Sequence, residues 1–476
     1  MRRARRVGQF GWVWAISTLG LVLLVTLPPG GAQAVPSFAR QTALPCNVCH
    51  TEFPQLTPFG RQFKLNGYTL SANMTELPPF AVMVEGLPGF THTQKAQPEA
   101  DIPPGFHENN NVSVDQLSLF YAGRLFGPYA DKLASENVSN VLDKIGIFAQ
   151  GTWDGVAGTW AWDNMELRVA NATTVEDTPV VVGAYLNNNP TLQDLWNTTP
   201  AWGFPFASSP LAPTPGASPL LAGGLAQQVV GLGAYTMVDD LVYVDAGAYH
   251  QVAAGTQEAF GNDIAGQSKI EDFAPYWRLA LEKSFGEHTV EIGTYGMQSR
   301  VLPSGVRDVG HDTIYNQGVD SQYQFLNGEH NFTLLVNWLN QNQQLHATQL
   351  LGGALHQHGR LWSASCTGSY LYEHKYGLDV QFFDTQGSRD AVLYGTRTGR
   401  PGSAGWIFQL NWLPWNAAGG PSFWPYSNVK FSLQYTLYTS FDGSTSNFDG
   451  NGRDAHATTP CSSRPGSPSS RATMAA

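Results

Sequence analysis

Charge is what this 476-residue chain lacks most: only 13% of its residues are Asp, Glu, Lys or Arg, about half the usual share of a soluble domain. Lys and Arg together number 26 and the formal net charge is -11. No dense cationic face is available to neutralise a phosphate backbone, so nucleic acid is not its partner. Cysteine is nearly absent, with four in all, which excludes a disulfide-framed scaffold. Past the first 34 residues no run of about 18 apolar residues occurs, so any membrane residence of the mature chain has to be built from strands. Disorder is excluded by 42% hydrophobic and 12% aromatic residues, enough to build a core. The length suits two to four ordinary domains or one large β-barrel with a small appendage.

What is present begins with a leader. Arg2, Arg3, Arg5 and Arg6 precede an apolar stretch from Gly11 to Leu27, then Pro28, Pro29 and the small-residue cleavage site Ala32-Gln33-Ala34. This pattern predicts a secretory signal peptide over residues 1–34 and a mature chain starting near Val35.

The next feature is Cys46-Asn47-Val48-Cys49-His50, the C-x-x-C-H spacing of c-type haem attachment. Two thiols add to the porphyrin vinyl groups and the adjacent imidazole ligates the iron. A zinc site would need a second pair, and Cys366 and Cys461 are lone and distant. One covalent haem c is therefore expected on Cys46 and Cys49, with His50 as axial ligand, in a domain spanning residues 35–78. Such a segment is too short to hold itself together without a covalent or metal staple or an enclosing barrel. Phe53, Leu56, Phe59, Phe63 and Leu65 can jacket the ring, and Arg61 and Lys64 either pair with its propionates or stand as solvated charges on a short helix. For the sixth iron ligand Met74 is favoured, with Met83, His92 and His107 as the other nearby candidates; Met ligation raises the potential relative to His.

Phe38-Ala39-Arg40-Gln41-Thr42 ahead of the haem motif, then Leu56-Thr57-Pro58-Phe59-Gly60-Arg61 and Phe63-Lys64-Leu65-Asn66-Gly67-Tyr68, resemble the outer-membrane fused cytochrome-porin iron oxidases of iron-oxidising bacteria. The likeness is close over residues 36–68. It implies a monohaem cytochrome joined to an outer-membrane barrel of about 16 strands, taking electrons from extracellular Fe(II) and passing them inward.

From residue 79 to 450 the dominant period is two, which on its own terms predicts an all-β, antiparallel outer-membrane barrel. Val429, Phe431, Leu433, Tyr435 and Leu437 alternate with Lys430, Ser432, Gln434 and Thr436; Phe332, Leu334, Val336 and Trp338, and Trp406, Phe408, Leu410 and Trp412, repeat the scheme. The wet face is rich in Asn, Gln, Ser and Thr, as a polar lumen requires. Fifteen such segments can be marked, near 80–96, 113–126, 142–153, 158–170, 178–187, 225–237, 241–253, 273–284, 288–299, 312–326, 330–341, 360–373, 376–386, 403–413 and 428–440. Bacterial barrels close with an even number, so one is missing. The stretches Trp202–Pro219 and His346–Gly359 read as surface loops. Residues 451–476 show no alternation and read as an aberrant, disordered tail. DNA able to encode Thr459–Ser470 can be read in another frame as an apolar-aromatic strand ending in Phe, so a frameshift is the expected origin of the tail.

The function expected is oxidation of extracellular Fe(II), the electron passing through the single haem to a periplasmic cytochrome c or copper protein, in the outer membrane of a Gram-negative bacterium. No acid, base or nucleophile is required, and none is named beyond the haem. Asp239-Asp240, Glu271-Asp272 and His346, His356 and His358 are candidates for drawing Fe(II) to the outer mouth, or ordinary solvated loop residues. The rival functions are an outward electron conduit and a passive porin with a structural haem.

Overall fold

The computed structural model of the chain describes residues 36–70, 79–129, 135–201, 209–417, 419–421 and 427–466. The leader and Met74 lie outside the described residues.

Three short helices open the described chain: α1 (Pro36–Thr42), α2 (Cys46–Cys49) and α3 (Pro58–Leu65). Everything large that follows is strand, and the reason is the period-two pattern: each strand can bury one row of side chains and offer the other row to lipid. β1 comes in two pieces, Phe80–Glu85 and Gly89–Thr93, and β2 in two, Asn111–Ser113 and Gln116–Arg124. Then follow β3 (Ile145–Asp154), β4 (Thr159–Val175), β5 (Thr178–Asn187), β6 (Val229–Val238) and β7 (Val242–Gln251). β8 (Ala274–Phe285) is preceded by the two-residue piece Lys269–Ile270. β9 (His288–Leu302), β10 (Asp312–Leu326), β11 (His330–Gln344), β12 (His358–Tyr372), β13 (Tyr376–Gly387), β14 (Ser403–Trp412), β15 (Lys430–Ser440) and β16 (Pro460–Gly466) complete the set. The nineteen strand segments of the one sheet thus make sixteen staves, because three of the staves carry an interruption.

Each stave pairs antiparallel with the next, as in Val319↔Trp338 between β10 and β11 and Val336↔Cys366 between β11 and β12. β16 closes the ring: Tyr435↔Cys461 and Lys430↔Gly466 join it to β15, while Pro460↔Thr93 and Glu85↔Gly466 join it to β1. All fifteen strands marked in the sequence are present, and the sixteenth lies inside the segment read there as a disordered tail. That expectation is corrected for Pro460–Gly466. Cys461-Ser462-Ser463-Arg464 carries no apolar alternation, yet the open edges of β1 and β15 leave backbone groups that a bilayer cannot solvate, and any chain able to extend will pair them. Arg464 reaches across the seam to Asp115 at 3.2 Å, both side chains buried.

The alternation resolves into two faces. On β15, Leu433 is 49% exposed while Gln434 is 6% exposed. Val82, Leu232, Ile292, Val319, Leu378 and Leu410 stand in the same outward band. At one end, outward rings form a belt in which Phe285 stacks on His288 (5.4 Å) and His288 on Tyr323 (5.9 Å), the girdle expected at a membrane interface. No helix among the described residues is long and apolar enough to cross a membrane.

The two rims differ. Glu176-Asp177, Asp239-Asp240, Gly286-Glu287 and Glu373-His374-Lys375 make tight turns at one rim, whereas the opposite rim carries long connections such as 188–228, 303–311, 345–357, 388–402 and 441–459. Short turns face the periplasm in barrels of this kind and long loops face outward.

Candidate functional site

The haem motif folds locally for reasons visible in its own residues. Cys46–Cys49 makes a single helical turn, closed by the His50 N–H donating to the Cys46 carbonyl at 2.9 Å. Thr57 then clamps the turn from the next element: its N–H donates to the Cys49 carbonyl at 3.0 Å and its hydroxyl to the Val48 carbonyl at 2.5 Å. The same hydroxyl caps α3 by accepting from the Gly60 N–H at 3.1 Å, with Pro58 in the first turn where its missing N–H costs nothing. Gly60 is required by contact, since a Cβ there would strike the Cys49 carbonyl oxygen. His50 Nδ1 lies 3.3 Å from the Pro54 carbonyl. That contact holds Nδ1–H and directs the lone pair of the neutral ring to Nε2, the tautomer a metal-ligating histidine needs. Burial pushes the His50 ring down to about 4, against which its contacts with the Pro54 and Gln55 backbone act only in part.

These residues fit a covalent haem c. Burial pushes the Cys49 thiol up to about 11, so it is protonated, and an S–H is what adds across a vinyl group, sulfur to one carbon and hydrogen to the other. Cys46 is buried and receives the Asn428 amide at 3.2 Å. Among the described residues no three His, Cys, Asp or Glu side chains converge on a point able to hold a bare metal ion.

Residues 36–70 lie inside the barrel, against staves all round its wall. The Ser37 hydroxyl and the Gln41 amide donate to the Ala122 carbonyl on β2. The Tyr68 hydroxyl donates to Glu166 on β4 at 2.6 Å, and the Tyr235 hydroxyl on β6 to the Leu65 carbonyl at 2.6 Å. Gln55 meets Ser369 on β12 at 3.2 Å, and Glu52 meets Lys430 on β15 at 2.6 Å. Most of the partners lie near the short-turn ends of their staves, Glu166 standing further up β4 opposite Asn187, and Gln62 reaches Asp240 in the β6–β7 turn at 2.9 Å. The segment is therefore a plug seated at the short-turn end of the lumen.

Above it the first part of the β5–β6 connection folds inward. Residues 188–199 are buried, with Trp196 at 0% exposure. Asp194 organises this loop by accepting from the backbone N–H groups of Trp196 (3.1 Å) and Thr198 (2.9 Å), and it lies 3.3 Å from Arg278 on β8. Burial would raise its carboxyl, but the Arg278 guanidinium and these N–H donors hold it below the usual range. Arg278 also meets Glu291 at 3.1 Å and Asp320 at 2.7 Å, all fully buried, and lies over the Trp196 ring at 5.1 Å. No motif or spacing in the sequence marks these residues out. The local signal was thin: an aromatic and a carboxylate within a polar loop.

Two expectations change. Arg61 and Lys64 do not stand in solvent: both are buried, at 2% and 3% exposure. Arg61 meets Glu282 (2.8 Å), Gln322 (3.0 Å) and Gln324 (2.7 Å) of β8 and β10. The Lys64 ammonium donates to the Leu192 and Asp194 carbonyls, each at 2.6 Å. Burial, partly countered by Glu166 and Asp194, brings Lys64 down to about 7. Both residues dock the plug, because a cation entering the lumen has to find its partners there. Asp239-Asp240, considered for the outer mouth, occupy a short turn at the other rim. Glu271 and Asp272 do lie at the long-loop end, paired with His311 (2.8 Å) and Arg300 (3.2 Å). Of the Trp202–Pro219 stretch, residues 202–208 lie outside the described residues; in the remainder Leu211 is buried, and the Pro213 carbonyl accepts from the Tyr438 hydroxyl on β15.

Fold and site together define an outer-membrane-type β-barrel whose lumen is occupied by its own N-terminal segment and one inward loop. No family model and no curated protein matches the sequence. Among solved structures the chain is similar to OmpT of Vibrio cholerae (9% identity, TM-score 0.38, covering 83% of this chain and 98% of that one). It is also similar to Salmonella typhi OmpF in complex with daunomycin (9%, 0.40, 82% and 97%) and to an anion-selective porin from Comamonas acidovorans (10%, 0.40, 81% and 97%).

Proposed function

We propose that the chain is an outer-membrane cytochrome-porin of the iron-oxidase type, which oxidises extracellular Fe(II) and hands the electron to a soluble carrier in the periplasm. The observation that carries this reading is the position of Cys46, Cys49 and His50 on a plug at the short-turn mouth of a closed barrel. The barrier to be crossed is an apolar band about 25 Å tall, and a protein-filled lumen is the one route through it that is not lipid. When bound, a haem c supplies a one-electron iron couple, which neither the side chains nor the substrate's own aquo ion provides on the periplasmic side.

The chain's residues have the remaining tasks. Cys46 and Cys49 tether, His50 ligates, and Pro54 orients His50 through its carbonyl. Glu52–Lys430, Arg61–Glu282 and Lys64 on the 192–194 backbone hold the plug against the wall. The buried loop 188–199 and its Arg278 network fill the lumen above the plug. Fe(II), as substrate, loses one electron on the long-loop side; the periplasmic partner gains it.

The test is a stopped-flow spectrum of the detergent-solubilised protein after mixing with Fe(II) at acid pH. Rapid growth of the reduced c-type α band is expected. A protein that stays oxidised with Fe(II) yet is reduced by dithionite is instead an outward conduit or a porin carrying a structural haem.

A further inference from the structure

The haem reading leaves one coordination position opposite His50 without an assigned residue. We infer that Met83 supplies it: its thioether is the sixth ligand of an iron held by Cys46, Cys49 and His50. This rests on the haem attachment proposed above.

Met83 sits in the first piece of β1, where Ala81, Met83 and Glu85 point into the lumen (6%, 5% and 5% exposed) and Phe80 and Val82 point to lipid (58% and 57%). β16 gives its level: Gly466 pairs with Glu85 on one side and with Lys430 on the other. β1 and β15 run in the same direction, so Met83, two residues before Glu85, stands level with Asn428, two residues before Lys430. Two inter-strand spacings separate them, about 10 Å. The Asn428 amide contacts Cys46 Sγ. A lumenal thioether thus lies in register with the residue that contacts the attachment cysteine, about 10 Å across the wall from it. α1 packs over the same part of the wall, with Ser37 on Ala122 and Ala39 buried against Cys46.

The other described thioethers, and His92 and His107, the imidazoles nearest the motif in sequence, stand elsewhere, while His374 in the β12–β13 turn sets its Nδ1 3.3 Å from the Asn331 amide. His92 is nine residues further along β1, roughly 30 Å at the rise of a strand, and its Nδ1 faces Asn110 at 2.9 Å. His107 lies beyond it in the long-loop rim, exposed. Met237 and Met297 are built into lumenal apolar clusters around Tyr235 and Tyr295, and Met165 alternates with the lumenal Asn164 and Glu166 on β4. Met83 is buried yet belongs to none of the lumenal apolar clusters formed by the described residues. A thioether ligand also fits an oxidant of Fe(II), since Met raises the potential of a c-type iron relative to His.

The experiment uses the full-length, haem-matured protein in detergent and reads spectroscopy and potential rather than turnover. The wild type is expected to show the weak sulfur-to-iron charge-transfer band of a His/Met ferric haem. Met83→Leu should lose that band, lower its midpoint potential and bind added imidazole about tenfold tighter or more, because no internal ligand has to be displaced. Met83→His should return to a low-spin spectrum at a lower potential, which separates a ligand change from misfolding. Met74→Leu should leave all three readouts unchanged. If Met83→Leu keeps the band, or Met74→Leu loses it, Met83 is not the ligand. A bis-His signature in the wild type overturns the assignment while the haem reading stands. A wild type with no covalent haem on a denaturing gel overturns both.

Discussion

Glu52 and Lys430 meet at 2.6 Å, with neither side chain more than 5% exposed. The pair ties the residue two places after His50 to the first residue of β15, so the haem motif and the barrel wall share one buried contact. Breaking such a pair strands a charge, whereas removing both partners can be nearly neutral. Lys430→Met should therefore loosen the plug by about 3 kcal/mol or more, and Glu52→Gln combined with Lys430→Met should recover most of that loss. Hydrogen exchange of the α2 and α3 amides reads the opening free energy. A double variant as loose as the single one would show that the ion pair is not what holds the segment.

Gly60→Ala tests the clamp between α3 and the haem turn. The new methyl meets the Cys49 carbonyl, and relief requires α3 to lift away, at a cost of about 1–3 kcal/mol. Covalent haem per polypeptide, read from a pyridine haemochromogen spectrum, should fall well below wild type. Equal loading would mean that the close approach of Gly60 is incidental.

Arg278 stands against three carboxylates, Asp194, Glu291 and Asp320. Arg278→Met leaves these buried without their cation, and the 188–199 loop should undock, with destabilisation of about 3–5 kcal/mol. New protease cleavage within that loop, in a barrel that still migrates as folded, is the expected sign. Resistance equal to wild type counts against this network as the loop's anchor.

A filled lumen predicts low ion conductance. In planar bilayers the wild type should conduct far less than an open sixteen-stranded porin, and deletion of residues 36–70 should raise the conductance. Wild-type channels as large as those of the deletion would sink the plug geometry and revive the passive-porin reading.

Lys64 gives a pH signature. Its folded value, about 7, lies below the ordinary 10.5, so between these values the unfolded chain binds more protons and stability rises with pH. Below about pH 7 the lysine is charged in both states and the full cost of burying that charge is present. Lys64→Met should flatten the alkaline rise in denaturant stability across this window. An unchanged slope would mean that Lys64 remains charged throughout, held by the carbonyls of Leu192 and Asp194.

The sequence by itself determined what short-range chemistry can encode. Alternation such as Phe431, Ser432, Leu433, Gln434 specifies a strand with one lipid face, and fifteen repetitions specify a barrel, because a bilayer admits no open sheet edge. The C-x-x-C-H spacing likewise specifies its own turn, closed by backbone within five residues. Tertiary structure decided the rest. Cys461–Arg464 is a strand because β1 and β15 need a neighbour, a demand that arises more than three hundred residues away in the chain at β1. Arg61 and Lys64 read as propionate partners or as solvated charges on a short helix, and only the enclosing wall, which brings Glu282 and the 192–194 backbone to them, makes them anchors. Met83 is one of four candidate ligands in the sequence, and it is closure, setting β1 beside β16 and in register with Asn428, that distinguishes it. Ring closure couples residues remote in sequence, so local pattern could name the parts of this protein but not where the plug seats among the staves.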